Sequence, residues 1–273
     1  MILKWRKRLV DDEARFAPEV VLKKDAVLIP TLAVGRGWVA VDKPAGISVH
    51  NAPGEDLCSL VPQSIQQQPD IRERFSAGSA LADSEIDIHP VHRLDRETSG
   101  VVLLAADREV FRFFSKQFDT RKVRKFYVAL VHGRLETPRT KDLWGMWEWP
   151  LAKTAAGRHH PQGSGPRQTS RTRFRILDYS AHYTLVEMEL LTGRTHQIRR
   201  HAKLAGHPIV GDARYGSDRA VKFLNEQRGF NRLALHARSL ILRLPGEKGQ
   251  ITIETTAIPE QMSILFEEDR AVK

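Results

Sequence analysis

A dense run of charge directly in front of an uncharged apolar run constrains this chain more than any other feature of its sequence. Residues 92–100 read HRLDRETSG, and the six residues from Val101 to Ala106 carry no charge. A short apolar run bounded by a turn predicts a strand buried on both faces. Asp95 lies between two arginines at the mouth of this strand, an arrangement typical of a catalytic loop on a rigid scaffold.

Length and cysteine content bound the class of protein. With 273 residues the chain is long enough to bury a core without disulfides, and its single cysteine, Cys58, excludes an internal one. The first residues lack the long apolar segment of a signal peptide, and no apolar run reaches membrane-spanning length. We therefore expect a cytoplasmic protein that does not enter the membrane and, without an evident apolar seam between subunits, a monomer.

The charge of the chain points to a polyanionic partner. The formal net charge is +10, and arginine and lysine are concentrated in residues 93–96, 121–125, 167–175 and 194–200. Positive charge gathered around the segment of Asp95 suits a phosphate backbone, whose binding weakens steeply with salt. We expect this partner to be RNA.

Hydrophobic periodicity and turn residues place the secondary structure. Strands are predicted at residues 37–41, 101–106, 124–131, 172–177, 183–191, 233–244 and 251–256. Helices are predicted at residues 57–68, 107–118, 195–205, 218–229 and from Pro259 onwards. The strands mostly follow one another by hairpins, which predicts an α+β fold: one domain with a mixed, mostly antiparallel sheet flanked by helices.

Several local expectations accompany this assignment. We assign residues 1–30 to an N-terminal arm and residues 31–273 to the catalytic domain, and we predict mobile loops at 76–87 and 155–168. Asp107 and Thr195 are expected to cap their helices. The strand at 183–191 is expected to bury one face. Three tryptophans are expected to hold a loop onto the core: Trp144, Trp147 and Trp149. Four side chains at helical spacing are expected to face the core: Val110, Phe113, Phe114 and Phe118.

Three separated motifs resemble those of the RluA-type pseudouridine synthases, in the same order along the chain. They are HRLD-x-x-TSG around Asp95, K-x-Y with Tyr127, and TGRTHQIR-x-HA with Arg199. A KPAG-x-x-VH element at 43–50 lies upstream of them, and the resemblance covers roughly residues 38–258. It implies the same α+β architecture. It also implies an isomerisation that detaches uracil from C1′ of a uridine in RNA, turns the base and rejoins it through C5. No cofactor is implied.

The resemblance also implies roles for individual residues. Asp95 is expected to act at the sugar, either by adding to C1′ or by removing the 2′-proton, and Arg199 to hold it ionised through a two-pronged bond. Tyr127 is expected to stack on the isolated base, and its phenol to assist removal of the proton at C5. Arg93 is expected to fill the gap left by the flipped uridine. Five further residues are expected to contact RNA: His92, Arg96, Arg194, His196 and Arg200.

A metal site would be a different interpretation of the same segment. His89, His92 and Asp95 stand three residues apart, a spacing that aligns ligands only on a helix. Pro90 and the strand that follows argue against a helix at this place. We therefore expect no metal.

A glycosidase and a non-enzymatic RNA-binding module also compete with the isomerase interpretation. A glycosidase generally needs two opposed carboxylates, and the only other one near Asp95, Glu97, is expected to form a surface ion pair with Arg96. A binding module accounts for the charge, but not for the coincidence of all three motifs. It predicts that Asp95→Asn changes affinity alone. The target within ribosomal or transfer RNA stays open.

Overall fold

One large β-sheet organises the part of the chain that the structure, a computed structural model, describes: residues 19–21, 28–77 and 86–272. Most of the predicted N-terminal arm and most of the predicted loop at 76–87 lie outside these residues. The strands are β1 (Glu19–Val21), β2 (Leu28–Gly35), β3 (Trp38–Lys43), β4 (His89–Pro90), β5 (Ser99–Ala105), β6 (Arg124–His132), β7 (Gly145–Trp147), β8 (Leu151–Ala152), β9 (Arg167–Gln168), β10 (Thr172–Tyr179), β11 (Tyr183–Leu190), β12 (Leu235–Leu242) and β13 (Ile251–Glu254).

The helices are inserted between these strands, except the last, which follows β13; the predicted fold class is confirmed. They are α1 (Leu57–Gln66), α2 (Pro69–Ser76), α3 (Arg108–Asp119), α4 (Gln197–Leu204), α5 (Asp218–Arg228) and α6 (Glu260–Arg270). Of the helices that the structure describes, α2 alone was not predicted. It is a short helix that starts on a proline and buries Ile71 and Phe75. In the described ranges no helix has both the length and the apolar character needed to cross a membrane.

The sheet has eleven strands in the order β1-β2-β3-β5-β12-β6-β11-β10-β7, with β4 beside β5 and β13 beside β12. A separate pair joins β8 and β9. Among the described strands, β5 and β12 alone pair in parallel, and every other pair is antiparallel. The sheet therefore consists of an N-terminal strand group, β1–β5, and a C-terminal strand group of β6, β7 and β10–β13.

The two strand groups meet at a seam that only glycine permits. The seam has two registered residue pairs, Ser99 with His236 and Gly100 with Ala237. Gly100 has a φ of 118°, and a Cβ at this position would lie 2.1 Å from the carbonyl oxygen of Ala237. A side chain here would force the two strands apart. The seam thus starts four residues after Asp95.

Strand β5 is buried on both faces, as its uncharged sequence predicted. Val102 and Leu104 belong to the larger hydrophobic cluster on one side of the sheet. Val101 and Leu103 belong to a smaller cluster on the other side. Hydrophobic packing on both faces of the sheet therefore fixes the strand that follows the charged loop.

Helix α3 covers the smaller cluster, and one of its predicted core residues faces outwards. Asp107 caps the helix as expected and accepts hydrogen bonds from the amides of Glu109 and Val110 at 2.8 and 3.0 Å. Phe114 is fully buried, but Phe113 is 37% exposed, so its core assignment was wrong. Neighbouring helical residues point about 100° apart, and the sheet meets only the side that carries Phe114.

Strand β11 corrects a second expectation, because both of its faces are buried rather than one. The outward face carries Glu187 and Glu189, which arginines of neighbouring strands cover. Arg175 pairs with Glu187 at 2.6 Å, and Arg124 pairs with Glu189 at 2.8 Å. The charged residues at alternate positions of β11 are therefore buried in ion pairs and are not exposed to solvent.

The tryptophans do not act together as a loop cap. Trp147 lies in β7, where its ring packs on Phe174 with centroids 4.7 Å apart. Trp144 lies beneath the guanidinium groups of Arg173 and Arg175. Trp149 is partly exposed. Trp147 is therefore a strand residue, Trp144 and Trp149 lie nearer the surface, and the three do not form the expected loop cap.

Candidate active site

The loop that carries Asp95 forms one wall of a cleft of about 750 Å³ and is fastened to the turn after β3. The amide of Gly46 donates to the carbonyl of Arg96 at 2.8 Å, and the Arg96 side chain donates back to the carbonyl of Gly46 at 2.8 Å. These reciprocal bonds explain why the KPAG element precedes the catalytic loop. They also occupy one face of the exposed Arg96 side chain.

Lys43 ties the same two segments together from inside. Its ammonium is fully buried and donates to the carbonyls of Pro44, Ile47 and Arg96 at 2.9, 2.7 and 3.1 Å. Burial lowers the pKa of Lys43 to about 7, and the charges of Asp95 and Glu97 oppose this shift. The lysine was outside the predicted site, yet it anchors the main chain beside the carboxylate.

Arg199 is the cation beside Asp95, but its two-pronged bond goes elsewhere. Its Nε and Nη2 donate to the two oxygens of buried Asp212 at 2.8 and 2.9 Å. Only Nη1 faces Asp95, at 3.5 Å, and it also reaches Glu97 at 3.2 Å. The expected two-pronged bond to Asp95 was therefore wrong, as was the expected pairing of Glu97 with Arg96.

The charges around Arg199 keep it ionised. Burial by itself lowers the pKa of Arg199, but the hydrogen bonds and charge of Asp212, followed by the charges of Asp95 and Glu97, raise it above the ordinary value. One buried cation thus faces three carboxylates. Asp212 fixes the orientation of the guanidinium, and Nη1, which Asp212 does not bind, faces Asp95.

His196 reaches Asp95 from the other side of the carboxylate. Its Nε2 lies 3.7 Å from Asp95 Oδ1, and its Nδ1 lies 3.0 Å from the hydroxyl of the buried Tyr215. Burial lowers the pKa of His196, while the charge of Asp95 opposes the shift. His196 stands before α4 with a φ of 52°, so Thr195 does not cap this helix as expected. A hydroxyl that donates to Nδ1 leaves the Nε2 proton directed at Asp95.

Tyr127 lines the same cleft as Asp95 and stands on β6. Its register partners are Ala237 on β12 and Met188 on β11, so three central strands fix its position. The residue is 8% exposed. Burial raises the pKa of the Tyr127 phenol, and the charge of Asp95 raises it further. The ring therefore stays a neutral phenol against the space beside Asp95.

His92 lines the same cleft as an uncharged wall residue. Its Nε2 accepts the amide of Leu103 on β5 at 3.1 Å, and its ring stacks on Phe118 with centroids 4.8 Å apart. Burial lowers the pKa of His92 to about 3. The ring therefore joins the loop to β5 and α3 and presents no positive charge to RNA.

Two of the predicted RNA-contacting arginines line the cleft with solvent-accessible side chains. Arg93 is exposed, and Arg194 is partly exposed. Among the described residues, the one hydrogen-bond partner of the Arg194 side chain is the carbonyl of Thr169, at a long 3.4 Å. The Arg194 guanidinium therefore keeps donors for a ligand in the cleft.

Arg200 is buried, which corrects its assignment to the RNA surface. Its guanidinium donates to the carbonyls of Ala152, Thr195 and Gln162 at 3.0, 3.2 and 2.6 Å, and also to Pro161. The segment 155–168, expected to be a mobile loop, is therefore pinned to α4. Arg158 adds a bond to Asp218 at 2.6 Å.

A comparison with protein families identifies the family to which the chain belongs. The family model described as RNA pseudouridylate synthase matches residues 37–204, which include Asp95, Tyr127 and Arg199. The chain belongs to the RNA pseudouridylate synthase family. The family that the sequence motifs indicated is thereby confirmed.

Individual relatives agree with the family assignment. The ribosomal large subunit pseudouridine synthase C of Vibrio vulnificus is 31% identical over 90% of this chain and 76% of its own length. The tRNA pseudouridine synthase C of Haemophilus ducreyi is 35% identical over 84% of this chain and 90% of its own length. The fold is similar to that of human RNA pseudouridylate synthase domain containing 4, with a TM-score of 0.66 at 24% identity, over 88% of this chain and 92% of that one.

Three residues of this RNA pseudouridylate synthase site escaped the sequence analysis: Lys43, Asp212 and Tyr215. Each acts through another residue, so neither its type nor its spacing marked it. Asp212 carried the clearest signal, a carboxylate directly after a glycine in the segment that continues the third motif. Gly211 has a φ of 73°, and a Cβ there would meet the carbonyl of Arg232 at 2.0 Å.

Proposed function

We propose that this chain isomerises a uridine within ribosomal or transfer RNA to pseudouridine, without a cofactor. The bond between N1 of uracil and C1′ of the ribose breaks, the base turns, and a bond forms between C5 and C1′. N1 gains a proton and C5 loses one, so the product has the same composition as the substrate. The residues from 31 to 273 form the catalytic domain of this proposal.

The observation that carries the proposal is that Asp95 and Tyr127 line the same cleft, close enough for the charge of Asp95 to act on the Tyr127 phenol. A carboxylate at the sugar and a flat ring at the base are the two groups that the reaction requires. A uridine in a stacked or paired strand exposes neither C1′ nor C5, so the nucleotide must leave the stack to enter. A partly exposed carboxylate and a buried aromatic ring thus line one cleft.

The Arg199 arrangement supports the proposed role of Asp95. A carboxylate enclosed with substrate tends to take up a proton unless a cation holds it ionised. Arg199 is oriented by Asp212 before any substrate arrives, so its Nη1 already faces Asp95. Preorganised charge of this kind costs no reorganisation during the reaction.

The charge that lines the cleft supports RNA as the substrate. Arg93 and Arg194 line the cleft with solvent-accessible side chains, and we assign Arg93 to the gap that the flipped uridine leaves. The two relatives named for ribosomal and transfer RNA are similarly close to this chain. Both RNA classes therefore belong to the proposal. We propose a monomeric enzyme of the cytoplasm.

Release of tritium from RNA labelled at C5 of uridine tests the proposal. Unmodified bulk ribosomal RNA and bulk transfer RNA are supplied separately to the wild type and to Asp95→Asn. Joining C1′ to C5 expels the C5 hydrogen, so we expect release with one RNA and its loss in the variant. Release of free uracil would instead establish a hydrolase. Tight, salt-sensitive binding with no tritium release from either RNA would establish a binding module.

A further inference from the structure

Lys125 is a partly buried cation of the cleft wall, and its surroundings differ from those of the buried cations nearby. Lys43 donates to three carbonyls, Arg199 to carboxylates and Arg200 to carbonyls. Arg232 donates to the hydroxyl of Ser99 at 2.5 Å. Lys125 makes no hydrogen bond or ion pair within the part of the chain that the structure describes, although burial lowers its pKa. Lys125 is partly buried, and an ammonium that loses part of its hydration without gaining an acceptor in the protein favours a ligand that supplies one.

The surroundings of Lys125 favour an anion as this ligand. Arg121, at the end of α3, is the charged group that acts most strongly on Lys125, and it repels it. A φ of 56° and a 3.1 Å bond from its amide to the carbonyl of Phe118 fix the backbone of Arg121 beside the cleft. Asp119 lines the same wall but does not pair with Lys125. An anion between the two cations relieves their repulsion.

Space for such an anion exists next to Gly193. A Cβ built on Gly193 meets only the Lys125 ammonium, at 3.8 Å, and no other atom within 4 Å. Lys125, Arg121 and Gly193 all line the cleft that contains Asp95. The free ammonium therefore faces open volume that is continuous with the catalytic space.

Strand geometry relates this position to the proposed base site. Lys125 stands two residues before Tyr127 on β6, and residues two apart project to the same side of a strand, about 7 Å apart along it. A base stacked on Tyr127 therefore places the ribose-phosphate chain within reach of Lys125. RNA brings a phosphate on each side of the flipped nucleotide, whereas a free small anion would have no such register.

We infer that Lys125 and Arg121 form a subsite for one backbone phosphate adjoining the uridine in the cleft. This inference rests on the proposed function. Lys125 is a point charge that accepts a phosphate oxygen in several geometries. The subsite holds the sugar of the target nucleotide in place while its base is turned. It contributes to binding of RNA of any sequence, since a phosphate contact carries no base information.

The test measures binding of fluorescently labelled decauridylate as a function of salt, from about 50 to 300 mM. The variants are Lys125→Met, Lys125→Arg and the matched control Lys122→Met. Lys122 is exposed, lies three residues away and is not part of the cleft wall. Thermal unfolding verifies that each variant is folded, and Lys125→Gln replaces Lys125→Met if the methionine variant does not fold.

We expect Lys125→Met to weaken binding about five- to tenfold at low salt and to reduce the slope of log affinity against log salt by about 0.7, the value for one phosphate contact on a single strand. Lys125→Arg should keep the wild-type slope, and Lys122→Met should change it far less. An unchanged slope in Lys125→Met, or an equal reduction in Lys122→Met, would overturn the assignment. Because no turnover is measured, this result is independent of the tritium-release test.

Discussion

Arg199 is bound to Asp212 by two short hydrogen bonds and faces Asp95 with a single nitrogen at 3.5 Å. The buried pair of Arg199 and Asp212 therefore presents a fixed positive charge to the Asp95 carboxylate. Asp212 also accepts the amides of Arg214 and Tyr215, at 2.9 and 3.0 Å, which fixes the carboxylate itself. Orientation passes from the backbone after Gly211 to Asp212, to Arg199 and then to Asp95.

Asp212→Asn should therefore lower catalysis much more than RNA binding. The amide keeps the volume but cannot accept both donors of Arg199, so the guanidinium turns. We expect tritium release to fall about 100-fold, the order of loss that a 1 Å misplacement produces. Glu97→Gln, which removes an exposed partner of the same guanidinium, should cost less than about fivefold. A rate for Asp212→Asn within twofold of wild type would contradict this role of Asp212.

The high pKa of Tyr127 has a kinetic consequence. Because burial and the charge of Asp95 disfavour the phenolate, the pH profile of tritium release should show no ionisation of Tyr127 up to about pH 10. Tyr127→Phe should therefore alter the rate by the same factor at pH 7 and at pH 9. Tyr127→Ala should lose the stacking of one base, worth about 1–3 kcal/mol. If the ratio of the wild-type rate to the Tyr127→Phe rate changed with pH, the phenolate would take part in the reaction.

His236, one of the residues of the seam, makes the free energy of unfolding depend on pH. Its Nδ1 lies 2.8 Å from the hydroxyl of Ser99 and its Nε2 lies 2.9 Å from that of Thr255, and burial lowers its pKa from 6.5 to about 3. The unfolded chain therefore takes up a proton that the folded chain refuses. Stability through this group is complete above pH 6.5 and is lost as the pH falls towards 3, by up to about 1.4 kcal/mol per unit.

Urea unfolding between pH 7 and pH 4 checks this dependence. His236→Gln should flatten the decline in the free energy of unfolding, because one titrating group has been removed. His160→Gln, which changes an exposed histidine, is the control and should leave the slope unchanged. Equal slopes for wild type and His236→Gln would disprove the linkage.

Arg200→Met should release the segment that Arg200 pins to α4. The carbonyls of Ala152, Pro161 and Gln162 lose their shared donor. We expect a loss of about 1–3 kcal/mol for buried acceptors left unpaired, and faster trypsin cleavage at Lys153 and Arg158. Arg167→Met, an exposed arginine of the same segment, provides the comparison. Protection from trypsin equal to the wild type would mean that the segment does not depend on Arg200.

Short-range patterns predicted the elements that position the site. The uncharged run of β5 and the cap at Asp107 are local features, because a run of six apolar residues and a carboxylate before a helix have few other uses. Motif order then indicated the family without any knowledge of distances. The same patterns failed where two chemically similar neighbours have different surroundings, as with Phe113 and Phe114.

Arg199 and Arg200 show the same limit inside the site. They are adjacent on α4 and point about 100° apart, so one reaches Asp95 and the other reaches carbonyls of a distant segment. Sequence supplies the two charges but not the direction of the helix relative to the cleft. The choice of Asp212 as the two-pronged partner depends on that direction as well, and no spacing rule contains it.

The seam at Gly100 has a consequence for a chain that is still being synthesised or folded. Asp95 belongs to the N-terminal strand group, while Tyr127 and Arg199 belong to the segment that forms the C-terminal group. The two groups meet through two residue pairs that form only when both groups are in place. A nascent or half-folded chain therefore holds the Asp95 carboxylate apart from Tyr127 and Arg199. The cleft that these three residues line is assembled only when β5 and β12 have paired.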